Sequence, residues 1–331
     1  MEKVKLGIIG LGYIGKIHLR HCLKIPNIEV KAVSDLSKKA LKEAKNSGVE
    51  KTFTDYKQLI KEPDIDAVIV ALPTHLHLQC AQQAAEAGKH IFMEKPIAVN
   101  LNEAKDLVAT AQKNSVKLMV GYPLRFNEKF RELKVRMEKG LLGDVEIAYA
   151  TYISSGPFFH RADGHSPVPV PEWWWNKNLT GGGALVDLGS HTINLMRWFF
   201  GEITDIKSQL NHRFNLDFED SAICLAKFDS GTKAVITVGW FLQGYVLKIE
   251  LLGTVDHALA EHRPGNILLT AAQMLTTGKS KFYQAHFDEL QYFADCLIKD
   301  LPPSPSGEDG FKDLEAITQA YKNQIRLDQK L

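Results

Sequence analysis

Short apolar runs alternate with amphipathic stretches through the first third of the chain. Val4 to Ile9 predicts a buried parallel strand, followed by a glycine-rich turn and a helical stretch from Lys16 to Leu23. Glu29 to Ser34 predicts the next strand. Further strands are expected over Ala67 to Leu72, His90 to Met93 and Lys117 to Gly121, with helices over Leu76 to Ala87, closed by Gly88, and over Leu101 to Lys113. Strands this poor in polar residues, separated by helices, predict a doubly wound parallel sheet covered on both faces.

The period changes after Gly121. Glu128 to Glu138 reads as a helix. In the strand that follows, Ile147, Tyr149, Thr151 and Ile153 fall on one face. Further strands are expected over 203–214, 220–228, 232–241 and 245–252, with Asp229-Ser230-Gly231 as a hairpin turn. This half predicts an α/β domain with a large, mostly antiparallel open sheet, one face packed and the other available to a partner. Two helices close the chain, Phe287 to Lys299 and Lys312 to Arg326, joined by the proline-rich 302–307. The junction falls at Tyr122-Pro123, giving a first domain over 1–122 and a second over 123–331.

Composition narrows the class. The 331 residues are 45% apolar and 24% charged, and 40 basic against 39 acidic side chains leave a net charge of +1. No global field recruits nucleic acid or an anionic membrane. The apolar runs are strand-length, short of the ~20 residues that span a bilayer. The first strand follows the N-terminal Met-Glu-Lys at once, which leaves no room for a signal peptide. Cys22, Cys80, Cys224 and Cys296 lack paired spacing and read as reduced, mostly buried thiols of a cytoplasmic protein.

Chemistry is concentrated in three places. In Gly10-Leu11-Gly12-Tyr13-Ile14-Gly15 the first glycine makes a tight turn, the second admits a pyrophosphate to the backbone, and the third packs helix on sheet. Phosphates then face a helix N-terminus. Asp35, 20 residues beyond Gly15, is placed to accept hydrogen bonds from a ribose hydroxyl. Its charge repels a 2′-phosphate, so NAD is favoured over NADP, although Lys38 and Lys39 partly offset the repulsion. The second place is Glu94-Lys95-Pro96, at the carboxyl end of a strand, where ligands of open α/β sheets bind. The third is Gly181-Gly182-Gly183 leading to Asp187 and His191, which are four residues apart and share a helical face. A carboxylate beside an imidazole suits general base work, while a helix-start aspartate and a core histidine are the plainer readings. No further ligands of matching spacing stand near them, and no metal is expected. Between 156 and 176 lies an aperiodic stretch with several prolines, His160, His165 and Trp173-Trp174-Trp175, fitting either a carbohydrate-binding wall or a set of packing anchors.

Together these motifs resemble the Gfo/Idh/MocA family (glucose–fructose oxidoreductase, inositol dehydrogenase, rhizopine catabolism) along essentially the whole chain. Pro73 to His77 and Gly307-Glu308-Asp309-Gly310 add to the likeness. The resemblance implies a Rossmann domain followed by an α/β domain whose sheet forms homodimers or homotetramers. It also implies NAD(P)-dependent oxidation of a secondary hydroxyl on a sugar, cyclitol or nucleotide sugar. Lys95, Asp187 and His191 would be catalytic. Gly10, Gly12, Tyr13, Ile14, Gly15, Asp35, Leu72, Pro73, Thr74, His77, Glu94, Lys95 and Pro96 would meet the cofactor. Tyr122, Arg125, His160 and Trp174 would join the catalytic three at the substrate.

Two positions depart from the family pattern. Pro123-Leu124-Arg125-Phe126 stands where many members carry Asn-Arg-Arg-Phe, and Gly253-Thr254-Val255-Asp256 lacks the second glycine of a Gly-Thr-x-Gly turn. Two alternatives accompany the dehydrogenase reading: a glycoside hydrolase that uses NAD for transient oxidation and elimination, and a non-catalytic NAD-binding regulator. Retention of Lys95, Asp187 and His191 together argues against the regulator.

Overall fold

A computed structural model describes residues 3–158, 170–242, 244–262 and 284–325. The chain forms two compact units, one of Met1–Pro123 with His286–Lys312 and one of Leu124–Ala285 with Asp313–Leu331. A boundary at 122/123 alone therefore misses the return of residues 286–312 to the first unit.

The first unit holds six parallel strands: β1 (Val4–Ile9), β2 (Ile28–Ser34), β3 (Lys51–Phe53), β4 (Ala67–Val70), β5 (His90–Glu94) and β6 (Leu118–Gly121). Their order is β3-β2-β1-β4-β5-β6, the doubly wound arrangement expected from the alternation. The order reverses between β1 and β4, and outside the carboxyl ends of such a pair is where open α/β sheets bind their ligands. β4 is buried throughout and β1 nearly so. Helices over Tyr13–Cys22, Lys38–Asn46, Tyr56–Ile60, His77–Glu86 and Leu101–Lys113 cover the sheet. Polar caps start several of them. The Ala40 N–H donates to Ser37 Oγ, and the Glu103 N–H donates to Asn100 Oδ1 while the Asn100 side-chain amide donates to Glu103 Oε1. Residues 38–60, which hold two of these helices and the edge strand β3, lie outside the elements predicted from the sequence. The prolines near 302–306 form more than a connector, since the Val120 N–H donates to the Pro305 carbonyl and Ser306 bridges to Met119.

The second unit is built on β7 (Val145–Ser154), β8 (Ile203–Asn211), β9 (Ser221–Phe228), β10 (Lys233–Gly239), β11 (Tyr245–Gly253) and β12 (His257–His262), ordered β12-β11-β7-β10-β9-β8. The sheet is mixed: its central pair, β7 and β10, runs parallel, and the other pairs are antiparallel. β12 was not legible in the sequence. The turn before it closes through the Gly253 N–H donating to the Asp256 carbonyl. Ala148, Ala150, Cys224, Ile236 and Ile249 face the core, where the helix Gly189–Phe200 contributes Ile193, Leu195, Met196, Phe199 and Phe200. Arg197 and Asp313 form a buried ion pair in the same unit, and Asn194 donates to the other oxygen of Asp313. The opposite sheet face keeps Ile147, Tyr149, Ile223, Leu225 and Leu259 exposed.

All four cysteines are buried and free. Burial raises the thiol pKa in each, to about 12 for Cys80 and Cys224.

In the first unit, ionisable groups are buried beneath the end of β5. His18 Nε2 and Glu94 Oε1 lie 2.6 Å apart, and the rings of His18 and His286 are 6.4 Å apart. Burial pushes the Glu94 carboxyl up, but the His18 hydrogen bond and neighbouring cations outweigh it and leave Glu94 below its ordinary value. Burial, with His18 adding to it, lowers His286 to about 3. Glu289 is fully buried and neither carboxyl oxygen has a hydrogen-bond partner among the described residues. Desolvation and then the Glu94 charge raise it well above the ordinary range. Native Glu289 thus keeps a proton that an unfolded glutamate, with a pKa of about 4.3, has lost, so its contribution to stability falls as pH rises. Glu289→Gln removes that loss. In urea unfolding the variant is expected to exceed the wild type at about pH 8, the gain shrinking towards about pH 4. An equal difference at both pH values would refute a protonated Glu289.

Candidate active site

In the first unit the glycine turn crosses the switch point. Gly10 has φ +93°, and a β-carbon on it would overlap the Ala71 carbonyl beyond β4. A β-carbon on Gly15 would overlap the Gly10 carbonyl oxygen. Gly12 is different: a β-carbon there meets nothing within 4 Å. It is the N-cap of the helix Tyr13–Cys22, with no side chain capping the first-turn N–H groups. Tyr13 is exposed and Ile14 half-buried beside it. Asp35, at the end of β2, accepts from the Leu11 N–H through Oδ2 at 2.6 Å and from the Ser37 N–H through Oδ1 at 2.7 Å. The acid therefore braces the glycine turn from the side where a ribose would lie. Open backbone at Gly12, a helix N-terminus and Asp35 fit an adenine dinucleotide.

After β4, Leu72 and Pro73 are half-buried and Thr74 is buried, leading through Thr74–Leu76 to His77. His77 is buried between two loops, with Nε2 2.9 Å from the Leu72 carbonyl and Nδ1 3.0 Å from that of Pro96. Burial lowers its pKa, opposed by these backbone contacts. His77 thus ties the segment after β4 to the segment after β5. Lys95 and Pro96 are half-buried, their peptide bond is cis, and the Lys95 N–H donates to Glu94 Oε2 at 3.2 Å. Tyr122 is buried just beyond β6.

In the second unit the three glycines are each accounted for. Gly181 terminates the helix Lys177–Thr180 with φ +87°. A β-carbon on Gly182 would overlap the Tyr321 hydroxyl, and one on Gly183 the Glu219 carbonyl oxygen. The buried Glu219 carboxylate accepts from the N–H groups of Gly183 (3.2 Å) and Leu185 (2.8 Å) and from the Tyr321 hydroxyl (2.8 Å). Burial raises its pKa, and these hydrogen bonds resist the rise. Glu219 so caps the short helix Ala184–Asp187 that delivers Asp187.

The helical stretch that carries Asp187 and His191 is interrupted at Leu188, and Gly189–Phe200 follows as a separate segment. Leu188 keeps right-handed helical angles (φ −89°, ψ −34°), so the spacing from Asp187 to His191 survives the break. Both side chains are half-buried. The Trp240 indole N–H donates to Asp187 Oδ2 at 3.3 Å, and the Tyr152 ring lies 5.9 Å from that of His191. Arg125 is buried and its Nε donates to Asn194 Oδ1 at 2.7 Å. Trp174 is half-buried with its ring 5.9 Å from Trp240, whereas His160 lies outside the described residues. Glu219, Trp240 and Tyr152 escape a motif search. Only Tyr152 had a sequence signal, as the large residue after Ala148 and Ala150 on the inward face of β7. No group of three or more His, Cys, Asp or Glu side chains able to hold a metal occurs among the described residues. No helix among them is long and apolar enough to cross a membrane.

Comparison with known proteins agrees with this geometry in both halves. Residues 4–122 match the oxidoreductase family with an NAD-binding Rossmann fold, and residues 130–257 match the GFO/IDH/MocA C-terminal domain. The chain is 28% identical to the myo-inositol 2-dehydrogenase of Thermotoga maritima, over 93% of this chain and 92% of that one. It is also 28% identical to the scyllo-inositol 2-dehydrogenase (NAD(+)) of Bacillus subtilis, over 99% and 98%. Among solved structures, that of a probable dehydrogenase from Thermotoga maritima superposes with a TM-score of 0.83 at 27% identity, covering 97% of this chain and 96% of the other. With its glycine turn, its acid at β2 and both family domains in sequence, the chain belongs to the GFO/IDH/MocA family of NAD-binding oxidoreductases.

Proposed function

We propose that this protein oxidises a secondary hydroxyl of a cyclitol or sugar, with NAD as its partner in hydride transfer. The observation that supports the substrate class is similarity over more than nine-tenths of both chains to relatives named as inositol dehydrogenases. The turn shaped by Gly10 and Gly15 would hold the pyrophosphate against the open backbone at Gly12, Asp35 would hold the adenosine ribose, and Leu72, Pro73 and Thr74 the segment beyond it. When bound, NAD supplies the hydride acceptor. The Lys95 ammonium would donate a hydrogen bond to the reacting oxygen and stabilise negative charge developing there. His191 would take the hydroxyl proton, with Asp187 orienting the base. Trp174 supports a sugar-facing role through its indole surface.

The exposed stripe of Ile147, Tyr149, Ile223, Leu225 and Leu259 supports assembly of two or four copies through the second sheet. Four free, buried thiols fit a cytoplasmic setting.

Inositols and free sugars offered with NAD should yield reduced nicotinamide, detected by its absorbance. Lys95→Met and His191→Ala should each lower kcat by about a hundredfold or more while NADH still binds. Cleavage of a glycoside with no net change in that absorbance would instead indicate the hydrolase reading. The glycines separate two effects. Gly12→Ala should unfold like the wild type and lose NADH affinity in titration, because its methyl group fills the open cradle. Gly15→Ala should lose about 1–3 kcal/mol of stability from backbone overlap. Paired Ile223→Glu and Leu225→Glu substitutions should yield monomers by light scattering, and an unchanged mass would remove this face as the interface.

A further inference from the structure

Trp240 follows directly on β10 and is 1% exposed. Three separate segments hold it in place. Its backbone N–H donates to the Asp220 carbonyl at 2.9 Å. Phe218 meets the ring edge-on at 6.3 Å and 89°, and Trp174 lies against it at 5.9 Å and 48°. Gly156, at φ +53°, lies so close that a β-carbon there would overlap the indole. An indole held this way has one polar atom and one direction in which to donate, and that direction is occupied by Asp187 Oδ2 at 3.3 Å.

We infer that Trp240 is a positioning residue for the reaction. Its N–H sets the rotation of the Asp187 carboxylate, and Trp174 braces the indole from the aromatic segment. Packing alone calls for a large ring at 240 but not for an indole nitrogen, since Phe fills most of the same apolar space. The nitrogen earns its place only through the carboxylate. A hydrogen bond to a charged acceptor is worth more than a neutral one, and here it is donated by a buried indole. The assignment rests on the dehydrogenase reading, because it treats Asp187 as part of the machinery that handles the hydroxyl proton.

The test is steady-state kinetics of the full-length enzyme with NAD and its best polyol, comparing wild type, Trp240→Phe, Asp187→Ala and the double variant. Trp240→Phe should lower kcat about tenfold or more and leave KM for NAD unchanged, that factor being what one hydrogen bond to a charged group carries. In the Asp187→Ala background it should cost nothing further, because the carboxylate it holds is gone. A purely structural role predicts the same loss in both backgrounds, and that result would overturn the inference. Should Trp240→Phe fail to fold, benzothienylalanine at 240 keeps the ring size and lacks only the N–H; undiminished kcat in that protein would equally overturn it. Wild-type turnover with insensitive variants defeats this inference alone. A wild type that oxidises no polyol defeats the dehydrogenase reading and the inference with it.

Discussion

Both units depend on the same constraint: a β-carbon is excluded where one stretch of backbone must rest on another. Gly15 lies on the Gly10 carbonyl, which lets the first helix begin at the end of β1 and turn its N–H groups outward. Gly183 lies on the Glu219 carbonyl, which lets the short helix ending at Asp187 begin beside β9. In each case the reactive end is aimed by main chain rather than by a flexible side chain. Main-chain placement is reproducible to a fraction of an ångström, which is what orientation at a reacting atom requires.

What could be read from sequence followed from how local each feature is. The glycine turn, Asp35 and the parallel alternation are set by neighbours within one βαβ unit, and the structure has them where the pattern put them. Leu185, Leu188, Leu195 and Phe199, spaced along the same stretch as Asp187 and His191, are buried. Contacts made across long stretches of chain left no trace. Trp240 reaches Asp187 over 53 residues, and Tyr321 reaches Glu219 over 102. The parallel pairing of β7 with β10 is likewise a matter of partner choice, which alternation does not encode. Strand β12 was missed for another reason: His257, Glu261 and His262 flank only a short apolar alternation. Arg125 is expected at the substrate from the family resemblance, and its burial on Asn194, a partner 69 residues away, is a contact the sequence does not encode.

Buried ionisable groups divide by how they are compensated. Asp313 is met by Arg197 and Asn194, and its remaining cost of burial is spread over good partners. Glu219 is compensated by two N–H groups and a phenol, and it gives a fixed geometry in return. Glu289 has no such set among the described residues, and it lies within electrostatic reach of Glu94, the residue that precedes Lys95. A costly buried carboxyl thus adjoins the strand end that presents the lysine, a distribution common where local stability gives way to function.

The four cysteines give the protein an internal gauge of its own opening. A thiol that is buried and held protonated does not react with alkylating reagents until the structure around it parts. Cys22, Cys80 and Cys296 belong to the first unit and Cys224 alone to the second. The rate at which each sulfur becomes alkylated under native conditions therefore records the breathing of each unit separately, without any label being introduced. A chain whose thiols were disulfide-bonded or exposed would have no such record to give.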